Sequence, residues 1–517
     1  MSHPPLSLVR AARIVALALP LAALLMMYMA VTAHADVICV PNDAVDGSCT
    51  AGQSEATIQA AINAAVTGVD TVRVGPGTYN ENLTLGKNIP LLGAQNGVAA
   101  CGRVASESVI TAASGDLLTL VVGSAGARIN GFHFSGAARG ITSGSGPIDN
   151  VEIRNNRFTG YTGAGVFLND PGIDITVDNN ELDGGSKTSG GASFHLDTDG
   201  FDGFHFTNNC VRNAPLGPGF FTDGNRNVGL SAGRGPLFDG NLFETHTTNV
   251  GVNIGSRAVE DAVFSNNTFR LNGFDGLQGG PIRTTFTANT FDRNGRNGLV
   301  MTSFGNQTAG RGSADVTILQ NCFVSNGLTP PPPPAPTPPA GAGLRFSAQP
   351  QNQSSNIFNN NDFIGNLPGA INTDTDPIDG TNNYWGAADG PSGVGPGSGD
   401  IVSGPPTPGT GVITFAPFST IPQSFAGSLC NPFTPTPTAT ATPTATPTNT
   451  PTNPPATQRP TPTQVLVGGV TVGTFAPAVV AAVTSGASGS LAPTVLGGLG
   501  LLVAAAFVVG VRRRRDR

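Results

Sequence analysis

Lysine is nearly missing from these 517 residues: only Lys87 and Lys187 occur. Charged residues are 11% of the chain, aromatics 6%, and there is one Trp. The charges are also unevenly placed. Residues 1–35 hold two Arg and no acid, and residues 491–517 hold five Arg and one Asp. The whole chain is −7, so removing +2 and +4 leaves −13 for residues 36–490. An acidic, lysine-poor body argues against nucleic acid as a partner, because phosphate binding is built from Lys and Arg. It also offers little to grip a polyanionic polysaccharide except through calcium. Helical periodicity is scarce as well, which argues against βαβ units.

In their place stands one short phrase, an Asn, any residue, then a large apolar residue, repeated nine times. The copies begin at Asn156, Asn180, Asn209, Asn241, Asn267, Asn289, Asn321, Asn361 and Asn383. Successive steps are 24, 29, 32, 26, 22, 32, 40 and 22 residues. A floor of 22 with irregular excess is the mark of a solenoid coil with variable loops. Before the first copy, Val151 and Ile153 alternate with Glu152 and Arg154, as a strand with one buried face requires. The chain must then bend for Phe158 to point inward again, and Asn tolerates the left-handed backbone of a sharp bend. Its side chain can also bond to the next Asn of a stack. Phe158, Phe243, Phe269, Phe291, Phe323 and Phe363 read as a core stack.

A second strand is expected at Gly165–Leu168, 229–232, Gly251–Ile254, Gly298–Met301 and Gly343–Phe346. The Gly that opens each suits a close backbone approach. The fold class that follows is all-β: a right-handed parallel β-helix solenoid of about ten coils, with a capping helix over residues 56–66, where Ile58, Ala61, Ile62 and Ala65 share one face. Ile129–Phe134 sits in the same register one coil earlier, with Phe132 at the bend.

Asp70–Leu83, followed by Leu91-Leu92-Gly93, resembles the N-terminal coil of the pectate-lyase-like right-handed β-helix superfamily. Asn382-Asn383-Tyr384-Trp385-Gly386 with Gly390-Pro391 resembles a closing motif of bacterial surface β-helix proteins. The resemblance covers roughly residues 37–430. It implies the fold and says little about activity, because the superfamily holds lyases, hydrolases, esterases and non-catalytic adhesins.

The flanks suggest export. Residues 1–35 read as a signal peptide, with Arg10 and Arg13 before the apolar run 14–31 and Ala33-His34-Ala35 as cleavage site. Residues 36–430 form the β-helix domain. Residues 431–464 are a Pro/Thr-rich stalk that cannot form a core, and residues 465–490 have no assignment. Residues 491–517 read as a C-terminal transmembrane anchor: 495–511 carry no charge, and Arg512–Arg515 follow as a basic cytoplasmic tail. The expected place is the extracellular face of the plasma membrane. All six Cys lie in the exported part, where disulfides persist. Cys39 and Cys49 are expected to pair. Cys210 and Cys322 share one repeat position four coils apart, roughly 19 Å, so they should not pair with each other.

The richest acidic cluster is Asp197-Thr198-Asp199-Gly200-Phe201-Asp202, flanked by His195 and His205. It resembles the Asn-Thr-Asp-Gly-x-Asp motif of polygalacturonase-type glycosidases, which implies catalytic carboxylates at Asp199 and Asp202. The companion motifs are missing: there is no Asp-Asp, no Gly-His-Gly and no Lys after Lys187. Two other readings stand beside it. One is a solvated acidic turn. The other is a calcium site from Asp197, Asp199, Asp202 and Asp223, with no further cofactor called for. A lyase base could come from Arg212, Arg226, Arg234 or Arg257. His133 and His246 have no assigned role. The sequence therefore reads as a surface rod that binds extracellular glycan, or another surface, without catalysis. The alternative is a carbohydrate-active enzyme, lyase or hydrolase.

Overall fold

The computed structural model describes most of residues 35–430. Outside its description lie residues 1–34 and 431–517, and within the domain 42–48, 51–52, 145, 170–171, 197–201, 224–233, 256–258, 303–312, 328–340, 350–351, 405–410 and 424–429. The chain divides into two units, Met1–Thr438 and Ala439–Arg517. The stalk, the unassigned stretch and the expected anchor all lie outside the described residues. Among the described residues, no helix is long and apolar enough to cross a membrane.

Each coil runs through three short strands, for example Glu152–Arg154, Arg157–Thr159 and Ala164–Leu168. Corresponding strands stack in parallel into three long sheets of 14, 11 and 13 strands, here called sheets 1, 2 and 3 in the order the chain visits them. The strand count exceeds the ten coils read from the Asn phrase. Rungs at the N-terminal end, such as Thr71–Val74 and Pro90–Leu92, build the same sheets without an Asn at the bend.

The bend between sheets 1 and 2 divides its labour between two residues. The residue before the repeated Asn takes the left-handed backbone: Asn155, Asn179, Asn208, Asn266 and Asn360 have φ of 54 to 56°. The repeated Asn itself turns its amide inward and is fully buried or nearly so. Asn289 shows the pattern. Its Oδ1 accepts from Asn267 N–H at 3.0 Å and from Asn267 Nδ2 at 2.9 Å. Its Nδ2 donates to the Phe264 carbonyl at 2.8 Å and to Asn321 Oδ1 at 3.0 Å. The ladder runs unbroken from Asn156 through Asn383. One coil earlier Phe132 takes this place, and its N–H donates to Asn156 Oδ1.

Two residues past the ladder, the apolar side chains stack. Phe243, Phe269, Phe291, Phe323 and Phe363 lie face to face with centroids 4.8 to 5.2 Å apart. Trp385 closes the column at 4.6 Å. A second column on sheet 1 runs Phe238, Phe264, Phe286. The stacking distance matches the strand spacing, so one aromatic per rung in each column meets its neighbour face to face.

The Gly before the sheet 3 strands stack as well. A Cβ on Gly251, Gly276 or Gly298 would stand 2.6 Å from the carbonyl oxygen of the Gly on the next rung, closer than real contacts allow. One expected strand is corrected. In the coil assigned to 229–232, the sheet 3 strand is Phe220–Thr222. It packs between Phe194–Leu196 and Val252–Ile254. Gly-Leu-Ser-Ala imitates the strand signal, but Phe220 offers a larger buried ring to the stack.

The helix Ile58–Ala64 starts at Thr57, whose hydroxyl accepts from Ala60 N–H. Glu81 accepts from Ile58 and Gln59 N–H, an anion at the positive end of the helix. Lys87 donates to the Asn63 and Ala65 carbonyls at the other end. Three disulfides close the domain: Cys39–Cys49, Cys101–Cys210 and Cys322–Cys430. Cys210 and Cys322 share the outward row of sheet 2. Each holds a segment from a different end of the domain, not the other.

Candidate functional site

Three-residue strands alternate in, out, in, or the reverse, so each sheet presents outward rows of side chains. On sheet 2 one such row is charged. Asp183, Arg212, Glu244, Arg270 and Asp292 occupy five consecutive rungs. Arg270 pairs with Glu244 at 2.6 Å, and Arg212 pairs with the buried Glu181. Arg212 also lies 4.0 Å from Asp183 and from Glu244, and Asp292 is held by Arg293 at 2.7 Å, so the charges of this row have opposite charges beside them.

Sheet 3 presents a different row. Its outward centre reads Thr84, Thr119, Thr142, Phe167, His195, Phe221, Asn253, Gln278, Val300, one residue per rung. Phe167 and His195 stack at 4.5 Å, and His195 meets Phe221 at 5.1 Å. Arg139 lies over Phe167 at 4.2 Å and faces Asp116 at 3.8 Å. Because the rings stack along the rod, their edges face outward and form a flat apolar stripe. Over this stripe lies a cavity of about 380 Å³, with His195, Phe221 and Asn253 in its floor and Gly191, Pro218 and Asn249 in its walls. Asn253 Oδ1 is buried there without a hydrogen-bond partner among the described residues. Such an acceptor calls for a donor from water or ligand.

A buried polar group backs this wall. Lys187 turns inward and donates to the Gly163 carbonyl, beside the Tyr161 ring. Burial lowers its pKa to about 8. Burial likewise raises the Tyr161 hydroxyl and pushes His246 down to about 3, so His246 is neutral. His246 has a structural place. Its backbone N–H donates to Asn272 Oδ1 at the head of a second ladder, Asn272, Asn294, Asn326 and Asn366, that ends on Asp400. His133 bonds to Thr159 Oγ1 at 2.8 Å, and burial lowers its pKa to about 4.

The sequence candidates separate. Asp197 and Asp199 lie outside the described residues. Asp202 is claimed by Arg234, at 2.7 Å, and the same guanidinium also holds Asp174. Asp223 follows the strand Phe220–Thr222, two residues after Phe221. Among the described residues, no group of three or more His, Cys, Asp or Glu is placed to hold a metal. Of the candidate bases, Arg212 and Arg234 are engaged in the ion pairs above, while Arg226 and Arg257 lie outside the described residues. The sequence places Phe167 and Asn253 in expected strands but gives them no functional role, and it misses Phe221. The available signal was Phe220-Phe221-Thr222, where two adjacent rings cannot both point inward.

A family model described as "Right handed beta helix region" matches residues 197–384. No curated protein matches the chain by sequence. Among solved structures, the chain is similar to the A-module of mannuronan C-5 epimerase AlgE4 from Azotobacter vinelandii, with 18% identity over 60% of this chain and 92% of that one, at a TM-score of 0.44. It is similar to the catalytic unit of a thermostable GH87 alpha-1,3-glucanase from Streptomyces thermodiastaticus, with 15% identity over 71% and 67%, at 0.40. It is also similar to an alginate lyase from Paenibacillus sp. strain FPU-7, with 13% identity over 67% and 94%, at 0.34. At these identities the likeness concerns fold alone. With its three parallel sheets, its Asn ladder and that match over residues 197–384, the chain folds as a right-handed parallel β-helix.

Proposed function

We propose that the domain engages an extended polysaccharide along the outward row of sheet 3. The observation that carries this reading is the cavity over His195, Phe221 and Asn253, where an apolar stripe meets an amide acceptor that lacks a partner among the described residues. Sugars present both C–H faces and hydroxyl donors, which suit an apolar floor with one open amide acceptor. The purified full chain, run through gels containing a panel of polysaccharides, is retarded by at least one of them. Phe221→Ala, which points outward and leaves the core intact, loses that retardation. Equal retardation of both proteins removes the groove from the reading.

A second reading makes the domain a carbohydrate-active enzyme, a lyase, epimerase or hydrolase. Asp223 favours it, because it puts a carboxylate two residues beyond Phe221, just past the end of the floor strand. Asp197 stands in the same sequence relation to His195. Turnover, read as new reducing ends or unsaturated products and lost in Asp223→Asn, supports this reading. Calcium enters here: thermal stabilisation by calcium that weakens in Asp199→Asn assigns the acidic turn to a cation. The flanking sequences support an extracellular domain held to a membrane by residues 491–517. Removing those residues then releases the protein into the medium.

A further inference from the structure

We infer that the polysaccharide taken by the sheet 3 groove is a neutral glycan rather than a polyuronate. The inference rests on the groove reading above and adds the chemical class of its ligand.

The outward row from Thr84 to Val300 spans nine rungs, about 38 Å at the usual strand spacing. Among those nine side chains there is no carboxylate, ammonium or guanidinium, and His195 is the single titratable group. This is not a by-product of a charge-poor chain. On the same coils the charged row of sheet 2 alternates Asp183, Arg212, Glu244, Arg270 and Asp292. Charge thus runs along a central row of one face and is absent from these nine positions of the other, where Arg139 and Asp116 flank the row and face each other.

The described cations nearest the row have partners already. Arg139 faces Asp116, and Arg296 is bound to Asp275 at 2.6 Å. Lys187 points inward to the Gly163 carbonyl. A polyuronate carries one carboxylate per sugar, and each would need a cation to offset its desolvation. The floor supplies none until Arg345, at the rung after Val300. The −13 charge of residues 36–490 repels a polyanion further. A neutral glycan meets no such penalty. Its C–H faces cover Phe167, His195 and Phe221, and a hydroxyl donates to the open acceptor on Asn253.

The test measures binding of the purified full chain to laminarin, dextran and galactomannan as neutral probes, and to polygalacturonate and alginate as anionic ones, at low and high salt. A neutral probe is expected to bind with an affinity independent of salt, because no ion pair is formed to be screened. Asn253→Leu keeps the side-chain volume and removes the acceptor, and should weaken that binding about tenfold. Phe221→Ala should weaken it as well, with an unchanged melting temperature showing that the fold persists. Binding to polygalacturonate or alginate that is tighter than to any neutral probe, and that fades with salt, overturns the neutral class. If Phe221→Ala still abolishes that binding, the groove itself stands. Failure of every probe, or binding that neither variant alters, overturns the groove reading and this inference with it.

Discussion

Replacing Asn289 by Leu tests whether the buried ladder holds the rod together. Leu matches Asn in size, so the change removes hydrogen bonds with little change in volume. Four contacts vanish. Asn267 N–H and Asn267 Nδ2 lose their shared acceptor, and the Phe264 carbonyl and Asn321 Oδ1 each lose a donor. Asn321 Oδ1 keeps a second donor, the backbone N–H of residue 289. Asn267 Nδ2 keeps the Phe238 carbonyl. The Asn267 N–H and the Phe264 carbonyl are the serious losses, since both are buried with no route to water. At about 1–3 kcal/mol for each buried group left unpaired, the expected cost is roughly 3–5 kcal/mol. Chemical denaturation of the purified protein reads the total, and amide exchange at Asn267 reads the local effect. Thr290→Ala, on the same rung but facing outward, is the control and should cost little. A loss under about 1 kcal/mol with Asn267 still protected would falsify the view that the ladder bears on stability.

Asp362 is fully shielded, one of its oxygens accepts from Gln423 N–H at 2.9 Å, and the other has no partner among the described residues. Burial raises its pKa to about 6, against the opposing Gln423 bond. A raised carboxyl stabilises the fold below the usual carboxylate range and loses that contribution as pH rises through about 6. Asp362→Asn should therefore melt with wild type near pH 4 and above it at pH 8. The gain is of order 1–2 kcal/mol, below the ~3 kcal/mol ceiling that the full shift sets. Identical melting at both pH values would rule the buried charge out. Gly276→Ala places a methyl 2.6 Å from the Gly298 carbonyl and 2.9 Å from Phe269 Cβ, and should cost about 2 kcal/mol or more. Gly190→Ala, with open space around it, should be near neutral. Cys101→Ser removes a bridge spanning 109 residues and should cost about 2–4 kcal/mol, with faster proteolysis between Gly93 and Glu107. A cleavage pattern unchanged from wild type would mean that Arg103, bound to Glu107 and to the Asn155 carbonyl, holds the loop alone.

The Asn ladder was legible because it satisfies a strict local rule. From Asn156 onward each coil sets one buried amide at one bend, and variable loops elsewhere cannot move it out of register. The second ladder obeys the same rule five residues later, at Asn272, Asn294, Asn326 and Asn366, yet it was missed. Earlier coils break it with Tyr161, Ala214 and His246, so the period is visible only once the rungs are stacked. The pairing of Cys101 with Cys210 was illegible for a different reason. It depends on where a long loop lands across several coils, which no local spacing encodes. The groove is a third case. In a repeat protein the common residue at each position reports the scaffold, so a site is written in the departures from it. Phe167, His195 and Phe221 hold outward positions that carry Thr84, Thr119 and Thr142 on earlier rungs. A ring in a place where the coil needs only a small polar side chain adds nothing to the core, and it costs exposed apolar surface. That cost is explained if a ligand covers the rings. The same reasoning turns attention away from Asp202. Its carboxylate is already bound by Arg234, so as a departure from the repeat it is accounted for within the fold.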